Sequence, residues 1–321
     1  MKRVSRGSAP KPATLCPAAD AAETPNESFA SKIRLTYAIL CLSRGRHSKG
    51  RQIKSASFEG KGNMSHLHRF SRTELLIGPS GLDKLRNSTV AVFGLGGVGS
   101  YAAEALCRAG VGRLVIVDFD DICLTNVNRQ LHAMDGTVGK AKALVMAERM
   151  RHINPQAEIV PYQDFYSADN SEFLLADHYD YVVDAIDHIT SKLHLIRTCR
   201  ERDIPIISSM GAAAKLDPTK IGVADISQTN KCRMARSVRK LLKKQGIETG
   251  VKVVFSTEEY REQEVKDGGC KGNCICPNKD DQRFSCEHRR VILGSVSFIP
   301  SIFGLTMAGV VVNDLLAEGG Q

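Results

Sequence analysis

Between Thr89 and Asp118 the chain places Gly94, Gly96, Gly97 and Gly99 after one short apolar run and Asp118 at the end of another. Glycines lack Cβ atoms, so a turn built from them closes tightly and lets phosphate oxygens approach the main chain. A helix that begins at such a turn offers unpaired N–H groups and partial positive charge to an anion. An acid about twenty residues on, at the tip of the next strand, accepts hydrogen bonds from ribose hydroxyls. The implied chemistry is nucleotide binding, against a tight turn of structural purpose only; the glycines alone do not name the nucleotide. Arg129 and Lys142 narrow it. A dehydrogenase does not need an arginine here. An enzyme that cleaves ATP between the α- and β-phosphates needs cations to neutralise the triphosphate and the charge that develops on pyrophosphate. Asp187, which closes the run Asp184-Ala185-Ile186-Asp187, supplies a carboxylate suited to Mg2+.

These residues require a frame. Thr89 to Phe93 reads as a strand, Ser100 to Ala109 as a helix stopped by Gly110, and Leu114 to Val117 as a second strand. Gly139 to Met150 reads as a basic amphipathic helix ended by Asn154-Pro155. Strands are expected at Ala157–Tyr162, Tyr179–Ala185 and Ile204–Ser209, with a helix over Thr190–Arg202. This alternation predicts an α/β fold, Rossmann-like, with a doubly wound, mainly parallel sheet covered by helices on both faces. Ligands of such sheets sit beyond the carboxyl ends of the strands, where Asp118, Asp120 and Asp187 all fall, so the three are expected to share a pocket.

Beyond residue 210 the alternation gives way to a C-terminal extension. It reads as a strand at Ile221–Ile226, a basic helix at Cys232–Gln245, a polar loop over 256–285, a strand at Gly294–Phe298 and an apolar closing helix at Ser301–Leu316. Ahead of the glycine turn, residues 67–87 read as a helical lead-in. Ser71 and Glu74 there have the spacing of a capping box, with His66 and His68 as surface residues.

A chain of 321 residues is long enough to bury a large core. Residues 298–316 come closest to a membrane span, but Pro300, Asn313 and Asp314 interrupt them, so no membrane partner is expected. The net charge of +9 misleads. Residues 1–63 hold 12 Lys and Arg against 4 Asp and Glu, which leaves the remainder with 32 basic and 31 acidic groups. The basic character therefore belongs mainly to an N-terminal extension without sustained periodicity, expected to be disordered or non-native, with translation starting at Met64; a transit peptide is the alternative. Scattered cysteines, including Cys107 and Cys199 among apolar helix residues, imply small core side chains, a reducing compartment and a cytoplasmic location.

The pattern GxGGxG, the run DFDxxxxxNxxRQ, the lysine after VGK, and DAID closely resemble the adenylyltransferases related to ubiquitin-activating enzymes, which include the molybdopterin and thiazole biosynthesis activators. Within that superfamily, RFSRTELLIG, LTNVNRQLHA and GSVSFIPSIFGLTMAGVVVNDLL resemble the tRNA threonylcarbamoyladenosine dehydratases. The resemblance covers roughly residues 66–318, so residues 64–321 are expected to form one adenylyltransferase domain. It implies ATP–Mg2+ rather than NAD on the glycine turn, with Gly97 along the phosphates and Asp118 on the ribose. It further implies Asn126, Arg129 and Lys142 on the triphosphate, Asp187 on the metal, and a homodimer in which Arg72 reaches the neighbouring subunit's ATP. The implied reaction activates a carboxylate as an acyl-adenylate with release of pyrophosphate. In the tRNA branch the carboxylate belongs to the threonylcarbamoyl group of adenosine 37, and intramolecular attack closes a ring and releases AMP. That route needs no covalent cysteine, because the substrate carries its own nucleophile.

The basic helix carries Arg233, Arg236, Arg239, Lys240, Lys243 and Lys244, preceded by Lys231; it is either a grip on a phosphate backbone or a solvated face. Cys270, Cys274, Cys276 and Cys286 lie in a polar loop over 270–288 and suit a structural, tetrahedral Zn2+, with His288 as a substitute ligand. Their spacing departs from the paired C-x2-C form of the zinc-binding sulfur-carrier activators, so free thiols are the alternative. Two rival functions remain: activation of the C-terminal glycine of a ubiquitin-like sulfur carrier, and a catalytically silent scaffold for a cysteine desulfurase or sulfur-acceptor system. The basic helix and the missing C-x2-C pairs favour tRNA, and Arg129, Lys142 and Asp187 together argue against silence.

Overall fold

The computed structural model describes residues 67–176, 178–262 and 293–317. The N-terminal extension 1–63 and the cysteine loop 270–288 lie outside the described residues. Among the described residues seven strands form one sheet: β1 (Thr89–Phe93), β2 (Arg113–Val117), β3 (Glu158–Tyr162), β4 (Tyr181–Asp184), β5 (Ile206–Ser209), β6 (Ile221–Asp225) and β7 (Lys252–Ser256). Their spatial order is β3-β2-β1-β4-β5-β7-β6. All pair in parallel except β6, which lies antiparallel to β7 at one edge. The first strands are short runs such as TVAVF and RLVIV, buried over most of their length, as a sheet covered on both sides demands.

Helices cover both faces. On one lie α1 (Ser71–Arg86), α2 (Gly99–Ala109), α3 (Lys142–Ile153) and α6 (Phe298–Ala317), which bury Leu85, Leu106, Met146 and Phe303 against Val90, Val92 and Ile116. On the other lie α4 (Ile189–Glu201) and α5 (Arg233–Lys243), burying Leu195, Ile196 and Val238 against Ala91, Phe93 and Val182. Each fully buried aliphatic or aromatic side chain contributes about 2 to 3 kcal/mol of transfer free energy, so the two apolar layers fix the fold. Cys107 and Cys199 are fully buried, and burial pushes their thiols up to about 11 and about 12, which keeps them inert.

The helix expected from Gly139 begins instead at Lys142, because Gly139 holds a left-handed φ of +85°. The capping box does not form: Phe70 takes the cap position, the Ser71 hydroxyl accepts from the His68 N–H at 2.8 Å, and Glu74 meets the His68 ring at 2.9 Å. No element is expected over 246–255, but strand β7 lies there, ending at the first residue of the expected polar loop. Its five residues are too few to show a period, yet they fill the gap between β5 and β6. The expected strand Gly294–Phe298 is irregular. Its alternation of apolar residues and serines has no ladder: the Gly294 carbonyl accepts from Ala214 N–H and the Ser295 carbonyl from Asn128, two separate loops.

By length and apolar content α6 qualifies as a membrane-crossing helix, but it is the core helix of one layer, with Ile299, Phe303, Met307, Val311 and Leu315 buried. It meets α2 almost backbone to backbone, since a Cβ on Gly304 would lie 2.2 Å from the Val98 carbonyl oxygen. Gly304→Ala is therefore predicted to lower stability by about 2 to 3 kcal/mol. Gly309→Ala, on the same helix with nothing within 4 Å, is predicted to be neutral or stabilising. Equal denaturant midpoints for the two variants would contradict this packing.

Candidate nucleotide-binding site

The sheet changes direction of growth between β1 and β4, the switch point at whose carboxyl ends open α/β sheets bind their ligands. The glycine turn starts there. Gly94 takes a left-handed φ of +86° and donates its N–H to the Val117 carbonyl at 2.8 Å. A Cβ at Gly94 would stand 2.8 Å from the Ala185 carbonyl oxygen, and one at Gly99 only 1.7 Å from the carbonyl oxygen of Gly94. Both positions are glycine because the turn is pressed against itself and against the end of β4. Gly96 is different: its nearest neighbour is the Gln130 amide nitrogen at 3.9 Å. At Gly97 a Cβ would meet Arg129 Cγ at 3.3 Å and Pro300 at 3.0 Å, so the stem of Arg129 runs along the turn. No side chain caps the N-terminus of α2, the end of a helix that favours an anion.

Asp118 stands at the tip of β2, buried. Its Oδ2 accepts from the Leu95 N–H at 2.6 Å and its Oδ1 from the Asp120 N–H at 2.9 Å. Lys142, the first residue of α3, is buried too; its Nζ lies 2.6 Å from Asp120 Oδ2 and 3.9 Å from Asp118 Oδ1. Burial pushes the Asp118 carboxyl up, opposed by Lys142 and reinforced by the charge of Asp120. Burial alone would pull the Lys142 ammonium down, but the attraction of Asp118, Asp120 and Asp187 outweighs it and holds the group above its ordinary value. Lys142 is thus a charged ammonium held among three carboxylates.

Asp187 is exposed just past β4, near enough for its charge to act on Lys142. One carboxylate with room for phosphate oxygens is the donor set Mg2+ takes in nucleotide sites. Among the described residues no cluster of three or more His, Cys, Asp or Glu forms a metal cage. Asn126 is buried and its Oδ1 accepts from the Cys123 N–H at 3.0 Å, which closes the single turn Leu124–Asn126. Arg129 donates to the Thr125 carbonyl at 2.9 Å and to Asn128 Oδ1 at 2.8 Å. The structure therefore gathers the glycine turn, Asp118, Asp120, Arg129, Lys142 and Asp187 at one edge. Arg72 stays apart from them: it is exposed on the first turn of α1, with no hydrogen bond or ion pair to these groups among the described residues.

Two features escaped the motif reading. Gln130 and His132 are buried, and the Gln130 Oε1 and both ring nitrogens of His132 lack hydrogen-bond partners among the described residues. Asp184 and Lys192 form a fully buried ion pair beneath the turn that carries Asp187. The second had a legible signal: Lys192 shares an i, i+3, i+4, i+7 stripe with Leu195, Ile196 and Cys199, an apolar face on which a lysine requires an acid.

Residues 70–319 match the ThiF family. The chain belongs to that family. A tRNA threonylcarbamoyladenosine dehydratase of Bacillus subtilis (strain 168) is 48% identical over 255 residues, 78% of this chain and 96% of the relative. The crystal structure of the Escherichia coli tRNA N6-threonylcarbamoyladenosine dehydratase in complex with AMP superposes with a TM-score of 0.68 at 35% identity, covering 78% of this chain and 94% of that one. The same E. coli enzyme in complex with ATP gives 0.66 at 35% identity, with 78% and 94% covered. The Rossmann-like expectation for this ThiF-family chain is thereby borne out, C-terminal helix included.

Burial, with Lys142 and Arg149 adding to it, pushes the His132 imidazole down to about 3. Its folded value lies below the unfolded one, so the contribution to stability is full above about pH 6.5 and is lost as pH falls toward 3. The whole span is worth up to about 5 kcal/mol. His132→Leu is predicted to flatten the acid limb of the stability–pH curve, measured by denaturant unfolding between those limits. An unchanged acid limb would contradict it.

Proposed function

We propose that this chain catalyses ATP-dependent dehydration of N6-threonylcarbamoyladenosine in tRNA to the cyclic form through an acyl-adenylate. The observation that carries the reading is the convergence of two cations and three carboxylates on a glycine turn, in a chain that spans nearly the whole length of relatives named for this reaction. Asp118 holds the ribose: each carboxylate oxygen already accepts one N–H and has a second lone pair for a hydroxyl. Lys142 gives Asp120 one of its three donors and keeps two for phosphate oxygens. Arg129 and Asn126 join it on the triphosphate. Asp187 holds Mg2+, which when bound neutralises phosphate charge and helps pyrophosphate leave.

The substrate carboxylate attacks the α-phosphorus, the bond to pyrophosphate breaks, and an acyl-adenylate forms. A nucleophile of the same modified adenosine then attacks the acyl carbon, a ring closes and AMP leaves. The balance is loss of one water from the base. Because nucleophile and acyl carbon belong to one modified base, the second step is intramolecular and needs no covalent cysteine. Arg72 reaches the neighbouring subunit's nucleotide in a homodimer. A tRNA substrate and reduced, buried thiols such as Cys107 and Cys199 suit the cytoplasm.

The tRNA track runs along α5. Its start adjoins the carboxyl edge, because Met234 and Cys232 pack over Gly211, just past β5. Arg236, Lys240, Lys243 and Lys244 are exposed, while Arg233 stacks on the Tyr260 ring at 4.0 Å. Arg239 is not part of it: the side chain turns back to the Thr229 carbonyl at 2.7 Å. Guanidinium and aromatic planes stack on splayed bases, and exposed cations follow phosphates.

Incubation with ATP–Mg2+ and modified tRNA, followed by nucleoside mass spectrometry, is expected to show loss of one water, and Lys142→Met or Asp187→Ala to reduce the rate at least 100-fold. Pyrophosphate exchange that instead requires a small carrier protein would replace this reading with the sulfur-carrier one. Arg236→Ala/Lys240→Ala is expected to raise the KM for tRNA severalfold and flatten its salt dependence, with the KM for ATP unchanged. A changed ATP term with an unchanged tRNA term would remove α5 from the track.

A further inference from the structure

We propose that Asp184, whose Oδ2 is held by Lys192 and Ser208, is a positioning residue that fixes Asp187 for the metal–nucleotide complex through the Ile186 N–H; the inference rests on the reading of Asp187 given above. Lys192 and Asp184 are fully buried, and their charged atoms lie 2.7 Å apart. The Lys192 ammonium also donates to Ser208 Oγ at 3.1 Å, and Ser208 in turn donates to Asp184 Oδ2 at 2.6 Å. Three elements meet in this knot: Asp184 ends β4, Ser208 lies opposite it on β5, and Lys192 comes from the first turns of α4.

Stability does not account for it. Taking two charges out of water costs more than packing well-fitted apolar side chains of the same volume. What the charges do is spare one oxygen. With Oδ2 held by Lys192 and Ser208, Asp184 Oδ1 accepts from the Ile186 N–H at 3.0 Å. That bond closes the chain directly after β4 into the turn that bears Asp187.

The same turn is pinned at two further points. The Ala185 N–H donates to the Phe93 carbonyl at 2.8 Å, and the Ala185 carbonyl abuts Gly94, where no Cβ fits. On the far side His188 caps α4 by accepting from the Ser191 N–H. Asp187 thus has an exposed carboxylate on a backbone held from both ends. Support of this kind beneath a metal-binding carboxylate sets its orientation and so the affinity for the metal. The knot binds no ligand itself.

The test separates anchoring from packing. Asp184→Leu/Lys192→Met removes both charges and the acceptor for Ile186 while keeping one branched and one straight side chain. Asp184→Asn/Lys192→Met removes the charges and keeps the acceptor. Calorimetric titration with ATP–Mg2+ and, separately, with AMP reads binding without turnover. The Leu/Met variant is expected to bind ATP–Mg2+ at least tenfold more weakly, with AMP within threefold of wild type. The Asn/Met variant is expected to recover ATP–Mg2+ binding to within threefold. Equal binding of ATP–Mg2+ by wild type and the Leu/Met variant, or equal weakening in both variants, would overturn the anchoring role. If the Leu/Met chain does not fold, Ser208→Ala, which keeps the ion pair and removes one hold on Asp184 Oδ2, is expected to bind ATP–Mg2+ about fivefold more weakly with AMP unchanged, and unchanged ATP–Mg2+ binding would overturn the anchoring role. Wild-type protein that fails to bind ATP–Mg2+ would instead count against the function proposed above, so the two failures are told apart.

Discussion

The site depends on one steric constraint: the backbone at Gly94 and Gly99 lies so close to itself and to Ala185 that no Cβ fits. This closeness joins the end of β1 to the end of β4 across the switch point of the sheet. It sets the glycine turn beside the turn that bears Asp187. Everything chemical is then a matter of which side chains the neighbouring strands and helices bring to that seam. Asp118 comes from β2, Lys142 from the start of α3, Arg129 from the segment between them, and Asp187 from the end of β4.

The electrostatics follow from burial. Lys142 is nearly inaccessible, and burial alone would pull its ammonium down; the attraction of three carboxylates outweighs that and holds it above its ordinary value. Asp118 feels the same burial and is pushed up. Three carboxylates and two cations thus lie at one edge, and under the function proposed above Lys142 keeps Asp120 while its remaining donors face phosphate oxygens. Beneath the surface the Asp184–Lys192 pair does no chemistry, and its burial is intelligible as support for the seam.

Much of this was legible in the residues. The run TVAVF, the glycine turn and the acid at Asp118 gave β1, α2 and β2 to within a residue at their ends, because glycine placement and apolar runs are local signals. Convergence of Asp118, Asp120 and Asp187 was legible once a parallel sheet was assumed, whereas Arg129 and Lys142 followed from the charge of a triphosphate and from the family resemblance. Other features were not. Strand β7 is five residues long and acquires its identity only from the strands on either side. The stretch 294–297 alternates like a strand but spends its carbonyls on two loops. The role of Asn126 in closing its own turn, and the inward fold of Arg239, depend on contacts that spacing does not encode.

The central claim is that a triphosphate, and not a dinucleotide, lies against the Gly94–Gly99 turn with Lys142 and Arg129 as its counter-charges. Calorimetric titration of the full chain with ATP–Mg2+ and with NADH, wild type against Lys142→Ala, tests it most directly. The account predicts ATP–Mg2+ binding that weakens at least tenfold in the variant and no NADH binding in either. NADH binding to wild type, with ATP–Mg2+ binding absent or indifferent to Lys142, would contradict it.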